Sequence, residues 1–244
     1  MLELANVINE RATARFDTLA DVVAKKKANL ASRRMHEYLL ALEMRFRELD
    51  IADYQLTNPE HVGATKSLND LQFGFVDKTE AFHEQVYATL GASAAFLSYF
   101  LKHGDRRGLR LGSSIKKMLK DLKALLDGSG FEKTLDVLEK SREFRDKVVI
   151  HPQTHAQHDW MTQGGQNVSA VIYYAIDYSK TDPKEDGLPV HAPPQTTLPF
   201  SSPEEYRDYL RKMFPWMQDI YVPPSHEEVF SALKALVRYV LENY

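Results

Sequence analysis

The chain has 244 residues, a formal net charge of −3, an isoelectric point near 6.3 and no cysteine. That length can bury a sizeable core in one large or two small domains. The near-neutral charge gives no global pull toward nucleic acid or a membrane surface, and the missing thiols exclude disulfides and thiolate metal sites, which suits a reducing cytoplasm. The first ten residues carry Glu3 and Glu10 and no continuous apolar stretch, unlike a signal peptide. The longest apolar run, near residues 90–101, is broken by Gly91, Ser93 and Ser98 and falls short of the ~20 residues a bilayer crossing needs. A soluble, cytoplasmic protein that meets no membrane is expected.

Residues 1–58 contain neither glycine nor proline, a strong helical signal. Ala5, Ile8, Ala12, Leu19 and Val22 mark one stripe, and Met35, Leu39, Leu42, Phe46 and Leu49 a second. Between them Asn29 or Ser32 is placed to end one helix and cap the next, the alternative being one very long helix. Lys25, Lys26, Lys27, Arg33 and Arg34 read as a solvated helix face. Residues 51–69, with Pro59 and Gly63, read as a loop. From 75 to 102 the pattern is helical again, with Val76, Phe82, Val86, Leu90, Leu97 and Leu101 near one face. The small residues 91–95 allow another helix to approach closely, first as internal packing and second as a dimer seam. The glycine-punctuated basic stretch 103–112 matches neither phosphate-loop nor dinucleotide spacing and reads as a helix–helix connection. Ile115, Met118, Leu119, Leu122, Leu125 and Leu126 then form a short amphipathic helix.

The stretch 131–160 has a marked start and stop. Ser129 with Glu132 has capping-box spacing, and Pro152 biases His151 out of helical angles. Leu135, Leu138, Arg142, Arg145 and Val149 share one stripe, so two arginines occupy positions where periodicity asks for leucine. Burying a guanidinium is costly unless it is paired. His151, His155, His158 and Asp159 follow directly.

Beyond residue 160 the chain changes character. The turn signal at 163–166 between residues 158–162 and the Val-, Ile- and Tyr-rich run 167–178 predicts a β-hairpin. Residues 181–199 hold five of the eleven prolines and predict an extended surface loop. Ser202 with Glu205 and Ser225 with Glu228 are capping boxes that open helices at about 203–214 and 226–242. The expected fold is mainly α, a helical bundle with a small β-hairpin insertion after the central helix. Residues 1–157 form the bundle core, 158–200 the hairpin and proline-rich insertion, and 201–244 the C-terminal helices packing on that same core.

The segment from Arg145 to His151 fits Arg-x(4–6)-His late in a helix, with the polar Asp146 directly after the arginine. It resembles the HEPN superfamily, helical bundles of which many members are metal-independent ribonucleases. The resemblance covers about seven residues and their helical context, while the hairpin and proline loop lie outside a minimal HEPN bundle. It implies an HEPN-like bundle acting on RNA, with Arg145, His151 and Asp146 catalytic, no metal and no cofactor. Arg142, Lys147 and His155 are the accompanying substrate-binding candidates. It also implies a homodimer that brings two motifs together around residues 142–151, a stress or phage-defence setting, and an antitoxin-like protein partner. The chemistry is coherent: histidine, with a pKa near ~6.5, suits proton transfer, and a guanidinium suits the charge of a phosphorane. Two other readings stand beside it. One is a non-catalytic HEPN-like module that binds a protein or nucleic acid, with Arg145 and His151 structural. The other is a metal-dependent hydrolase using His151, His155, His158 and Asp159, residue types that ligate zinc or iron but at a spacing of no known signature.

Overall fold

A computed structural model describes residues 1–61, 66–103, 111–112, 114–149, 155–163, 166–177, 179–180 and 202–244. Among these the chain is mainly helical with one three-stranded antiparallel sheet. The helices are α1 (Leu2–Phe16), α2 (Val22–Thr57), α3 (Leu68–Lys102), α4 (Ile115–Leu125), α5 (Glu132–Phe144), α6 (Pro203–Met213) and α7 (His226–Asn243). The strands are β1 (His155–Gln163), β2 (Gln166–Ile176) and β3 (Met217–Tyr221). A five-residue π turn, Arg145–Val149, extends α5. The described chain divides into two compact units. Unit 1 is Met1–Glu48, Ala81–Glu143 and His226–Tyr244; unit 2 is Leu49–Glu80 and Phe144–Ser225. Among the described residues no helix is long and apolar enough to cross a membrane.

Unit 1 is a helical assembly whose core follows the apolar stripes. Leu4, Ile8 and Phe16 of α1, Met35, Leu39 and Leu42 of α2, and Phe82, Val86, Leu90 and Leu97 of α3 are all buried. Phe16 meets Phe96 and Phe100 edge-on, at 6.3 and 6.5 Å between ring centroids. Arg15 lies 3.7 Å over the Phe100 ring and donates to the carbonyls of Phe100 and Tyr244, both at 2.8 Å. Carbonyls near helix C-termini lack intrahelical donors, and a cation there satisfies both the hydrogen bond and the dipole.

The break between the first two helices falls earlier than the sequence pattern suggests. It lies at residues 17–21, where Asp21 Oδ1 accepts the N–H groups of Val23 (2.9 Å) and Ala24 (3.2 Å). An aspartate cap needs no glycine or proline to start a helix. Asn29 and Ser32 therefore sit inside α2 and end no helix, the single long helix offered as the alternative is broken at 17–21, and Val22 is exposed rather than part of the first stripe. The loop expected at 51–69 also contracts, because α2 runs to Thr57, Pro59–His61 form a 3₁₀ turn and α3 begins at Leu68. Ser67 and Asp70 cap α3 reciprocally: Ser67 Oγ accepts the Asp70 N–H at 3.2 Å and Asp70 Oδ2 accepts the Ser67 N–H at 2.9 Å. The small-residue stretch serves packing within the chain. Ala92, Ser93 and Ala94 are buried, and a Cβ on Gly91 would meet Ile115 Cδ1 of α4 at 4.0 Å.

The capping box proposed for α5 is replaced by a different arrangement. Ser129 Oγ donates to the carbonyl of Leu126, and Glu132 accepts the N–H of Gly128 at 3.2 Å rather than that of Ser129. Gly128 and Gly130 take positive φ, which turns the chain between α4 and α5.

Unit 2 is built on the sheet, in the order β1-β2-β3. The expected hairpin is present but longer, with β1 and β2 paired from His155↔Tyr174 to Gln163↔Gln166. Consecutive residues Val171, Ile172, Tyr173 and Tyr174 of β2 are all buried, so both faces of the central strand are covered. Ile172 and Tyr174 pack with Tyr206 and Leu210 of α6 and with Met217 and Ile220 of β3. On the other face Phe75 of α3 meets His158, and Phe144 meets Tyr173. Strand β3 is not legible as alternation: its buried residues are Met217 and Ile220, because Asp219 takes φ 49° and the register slips between Tyr173 and Ala175. The helices expected at 203–214 and 226–242 appear as α6 and α7, and Ser202 accepts the Glu205 N–H at 3.1 Å as expected. The loop expected at 181–199 and most of the turn expected at 103–112 lie outside the described residues.

The cap at Asp21 gives a direct check on the α1–α2 boundary. Asp21→Ala should cost about 1 kcal/mol in urea unfolding. Asn29→Ala, inside α2, should leave stability unchanged or slightly raised, since alanine is the better helix former.

Candidate functional site

The motif begins where regular α-helix ends. Phe144, the last residue of α5, is fully buried, with its ring 4.8 Å from Tyr173 and 5.7 Å from Tyr221. These tyrosines are directly paired across β2 and β3, so one cross-strand pair grips the residue that precedes the π turn. Arg145, Asp146 and the Lys147 backbone follow in that turn. A π turn inserts extra chain into a helix, carries an energetic penalty and recurs at functional positions.

Arg145 is half-buried, its side chain 39% exposed, and its Nη1 lies 3.9 Å from Asp146 Oδ1. At that exposure an ion pair contributes little to stability. The polar stripe thus does not bury both arginines alike. Arg142 is the more enclosed at 13% exposure, and it meets two acids of its own helix, Glu139 at 2.8 Å and Glu143 at 3.8 Å. Glu139 lies one turn back along α5, so part of the pairing that the leucine-like position demands is local. Of the other candidates, His151 and the Lys147 side chain lie outside the described residues. His155 is exposed at the start of β1 and stacks on Tyr174 at 5.7 Å.

His155 and His158 do not converge. They lie three residues apart in one strand, on opposite faces. His155 faces solvent, whereas His158 is 5% exposed, with both ring nitrogens shut off from solvent and Phe75 meeting the ring edge-on at 5.4 Å. Burial lowers its pKa from 6.5 to about 4. His158 is thus a neutral core histidine. The Tyr173 phenol is pushed well up, first by burial and then by the negative charges of Glu80 and Asp77, so it keeps its proton at any ordinary pH. Sequence reasoning missed Tyr173 and Tyr221 as supports of the motif; the available signal was the tyrosine pair inside 167–178.

Unit 1 holds one more pair with catalytic residue types. His83 Nδ1 lies 2.9 Å from Ser141 Oγ, a spacing that suits a base and a nucleophile. Both residues are fully buried, so the pair joins α3 to α5 within the core.

Comparison with protein-family models, with curated proteins and with solved structures finds no match.

Two measurements follow. Because the folded-state pKa of His158 is below its unfolded value, stability should be full above about pH 6.5 and be lost as pH falls toward 4, by roughly 3 kcal/mol at the low end. Urea unfolding at pH 7 and pH 4.5 checks this, and His158→Phe should flatten the difference. Phe144→Ala should cost about 3–5 kcal/mol by the same method, the range for losing a buried phenyl ring.

Proposed function

We propose that this chain is an HEPN-like, metal-independent endoribonuclease that acts as a homodimer, with Arg145, Asp146 and His151 as its catalytic group. The observation that carries the reading is the π turn beginning at Arg145, seated on the buried Phe144–Tyr173–Tyr221 cluster. It combines a costly backbone irregularity with a cation that is only half-buried, at the position of the sequence motif. In the proposed reaction His151 takes the proton of an RNA 2′-hydroxyl. The 2′-oxygen attacks the adjacent phosphorus, and the P–O5′ bond breaks. The products are a 2′,3′-cyclic phosphate and a 5′-hydroxyl whose oxygen receives a proton from the second copy's histidine. Arg145 meets the charge that builds on the phosphorane oxygens, and Asp146 steadies the guanidinium.

One motif supplies a single base and a single cation, so a general acid for the leaving oxygen requires a second copy of residues 142–151. Lys147 and His155 are the substrate-binding candidates in this reading. Arg142 joins them only by giving up Glu139, and that local pairing is what favours the competing reading, a non-catalytic helical module.

The two readings separate by mutation. Purified protein should cut single-stranded RNA in the presence of a chelator, and Arg145→Ala and His151→Ala should each lower the rate at least about 100-fold. Cleavage that is absent, or that persists in both variants, leaves the non-catalytic module.

A further inference from the structure

Helix α2 carries a second apolar seam that its own fold does not use. Its buried seam repeats every seven residues: Ala28, Met35, Leu42, Leu49 and Leu56 are all enclosed. Two residues further along, about 200° around the helix, a parallel series runs Val23, Leu30, Glu37, Met44, Ile51. Its four apolar members are 60%, 51%, 63% and 56% exposed. Exposed apolar residues scattered singly need no explanation, but a line of them at heptad spacing is the pattern of a helix-pairing surface.

The charge distribution along α2 identifies the occupant. Residues 22–34 hold Lys25, Lys26, Lys27, Arg33 and Arg34 and no acid. Residues 35–57 hold Glu37, Glu43, Glu48, Asp50 and Asp53 against Arg45 and Arg47. A parallel pairing of two such helices sets basic half against basic half. An antiparallel pairing sets basic half against acidic half. The seam is also symmetric about Glu37, since Leu30 and Met44 are equidistant from it, as are Val23 and Ile51. A surface that is complementary to itself under a two-fold rotation fits a second copy of the same chain.

We propose that α2 pairs antiparallel with α2 of a second copy, with the two-fold axis passing near Glu37. Leu30 of each copy then packs on Met44 of the other, and Val23 on Ile51. The two Glu37 side chains approach near the axis, where Arg33 and Arg34 of the opposing copy lie about one turn away and offset the repulsion. This contact is independent of the ribonuclease reading, which calls for a meeting of two copies around residues 142–151, and it stands or fails without reference to activity.

The absence of cysteine makes the test clean, because a single introduced thiol reports only on its own surroundings. In the antiparallel arrangement a cysteine at 37 faces its own counterpart. Cysteines at 30 are separated by about 14 residues of helix, roughly 21 Å, far beyond disulfide reach. Under mild oxidation at micromolar concentration Glu37→Cys should therefore form a covalent dimer and Leu30→Cys alone should not. A mixture of Leu30→Cys with Met44→Cys should form the mixed dimer. Adding Met44→Glu to Glu37→Cys should lower the yield of that covalent dimer at least tenfold, a readout that a separate contact around residues 142–151 does not move. All these positions are exposed, so circular dichroism of each variant should match the parent. Self-crosslinking of Leu30→Cys would show a parallel pairing, and failure of Glu37→Cys to form the disulfide would show no pairing at α2; either overturns the proposal.

Discussion

The packing of Phe144 between Tyr173 and Tyr221 is the contact on which the candidate site depends. The ring is fully buried, and its two partners are cross-strand neighbours, Tyr173 on the central strand and Tyr221 at the end of the edge strand. Burial of a phenyl ring contributes roughly 1.5–3 kcal/mol, enough to fix where regular helix stops and the π turn begins. The same sheet is held from its other face by Tyr206 and Leu210 of α6. Arg145 and Asp146 therefore start from a rigid base although their own side chains reach toward solvent. A half-buried cation on a well-packed support is a reasonable way to meet a phosphate, because the support limits what the cation must lose in freedom when it binds.

The polar groups of the two units divide by burial into those enclosed in the fold and those that stay accessible. His83 and Ser141 satisfy one another in the core of unit 1, and Arg15 satisfies carbonyls of α3 and of the segment closing α7. His158 is neutral because it is buried, and Tyr173 holds its proton because it is buried and lies near the negative charges of Glu80 and Asp77. These residue types are familiar from active sites, yet their enclosure assigns them to structure. Arg145 and His155 differ from them by remaining accessible.

Much of the helical frame was legible in the sequence because apolar periodicity is a long-range signal. The stripes through Met35–Leu39–Leu42, Phe82–Val86–Leu90 and Met118–Leu119–Leu122 are buried as their spacing demands. Boundaries were less legible, since they rest on single side chains. Asp21 starts α2 without any glycine or proline to announce it, and Ser67 with Asp70 starts α3 seven residues before residue 75, at which the helical pattern was expected to resume. Strand β3 was invisible because a positive φ at Asp219 removes the alternation that marks a strand. At the site, the sequence placed Arg145 and Asp146 at a helix end. The tyrosine support of the π turn could not be read, because it depends on pairing between β2 and β3, which lie far apart in the chain. The histidine stretch, whose spacing matched no metal signature, falls in part on strand β1, where His155 and His158 lie on opposite faces.

In the proposed function the π turn at Arg145 serves RNA cleavage through the 2′-hydroxyl. The most direct measurement compares an RNA oligonucleotide with its fully 2′-O-methylated counterpart in chelating buffer, followed by mass spectrometry of the fragments. The account predicts cleavage of the first only, with fragments ending in a 2′,3′-cyclic phosphate and beginning with a 5′-hydroxyl. Cleavage of both oligonucleotides, or fragments carrying a 5′-phosphate, would contradict it.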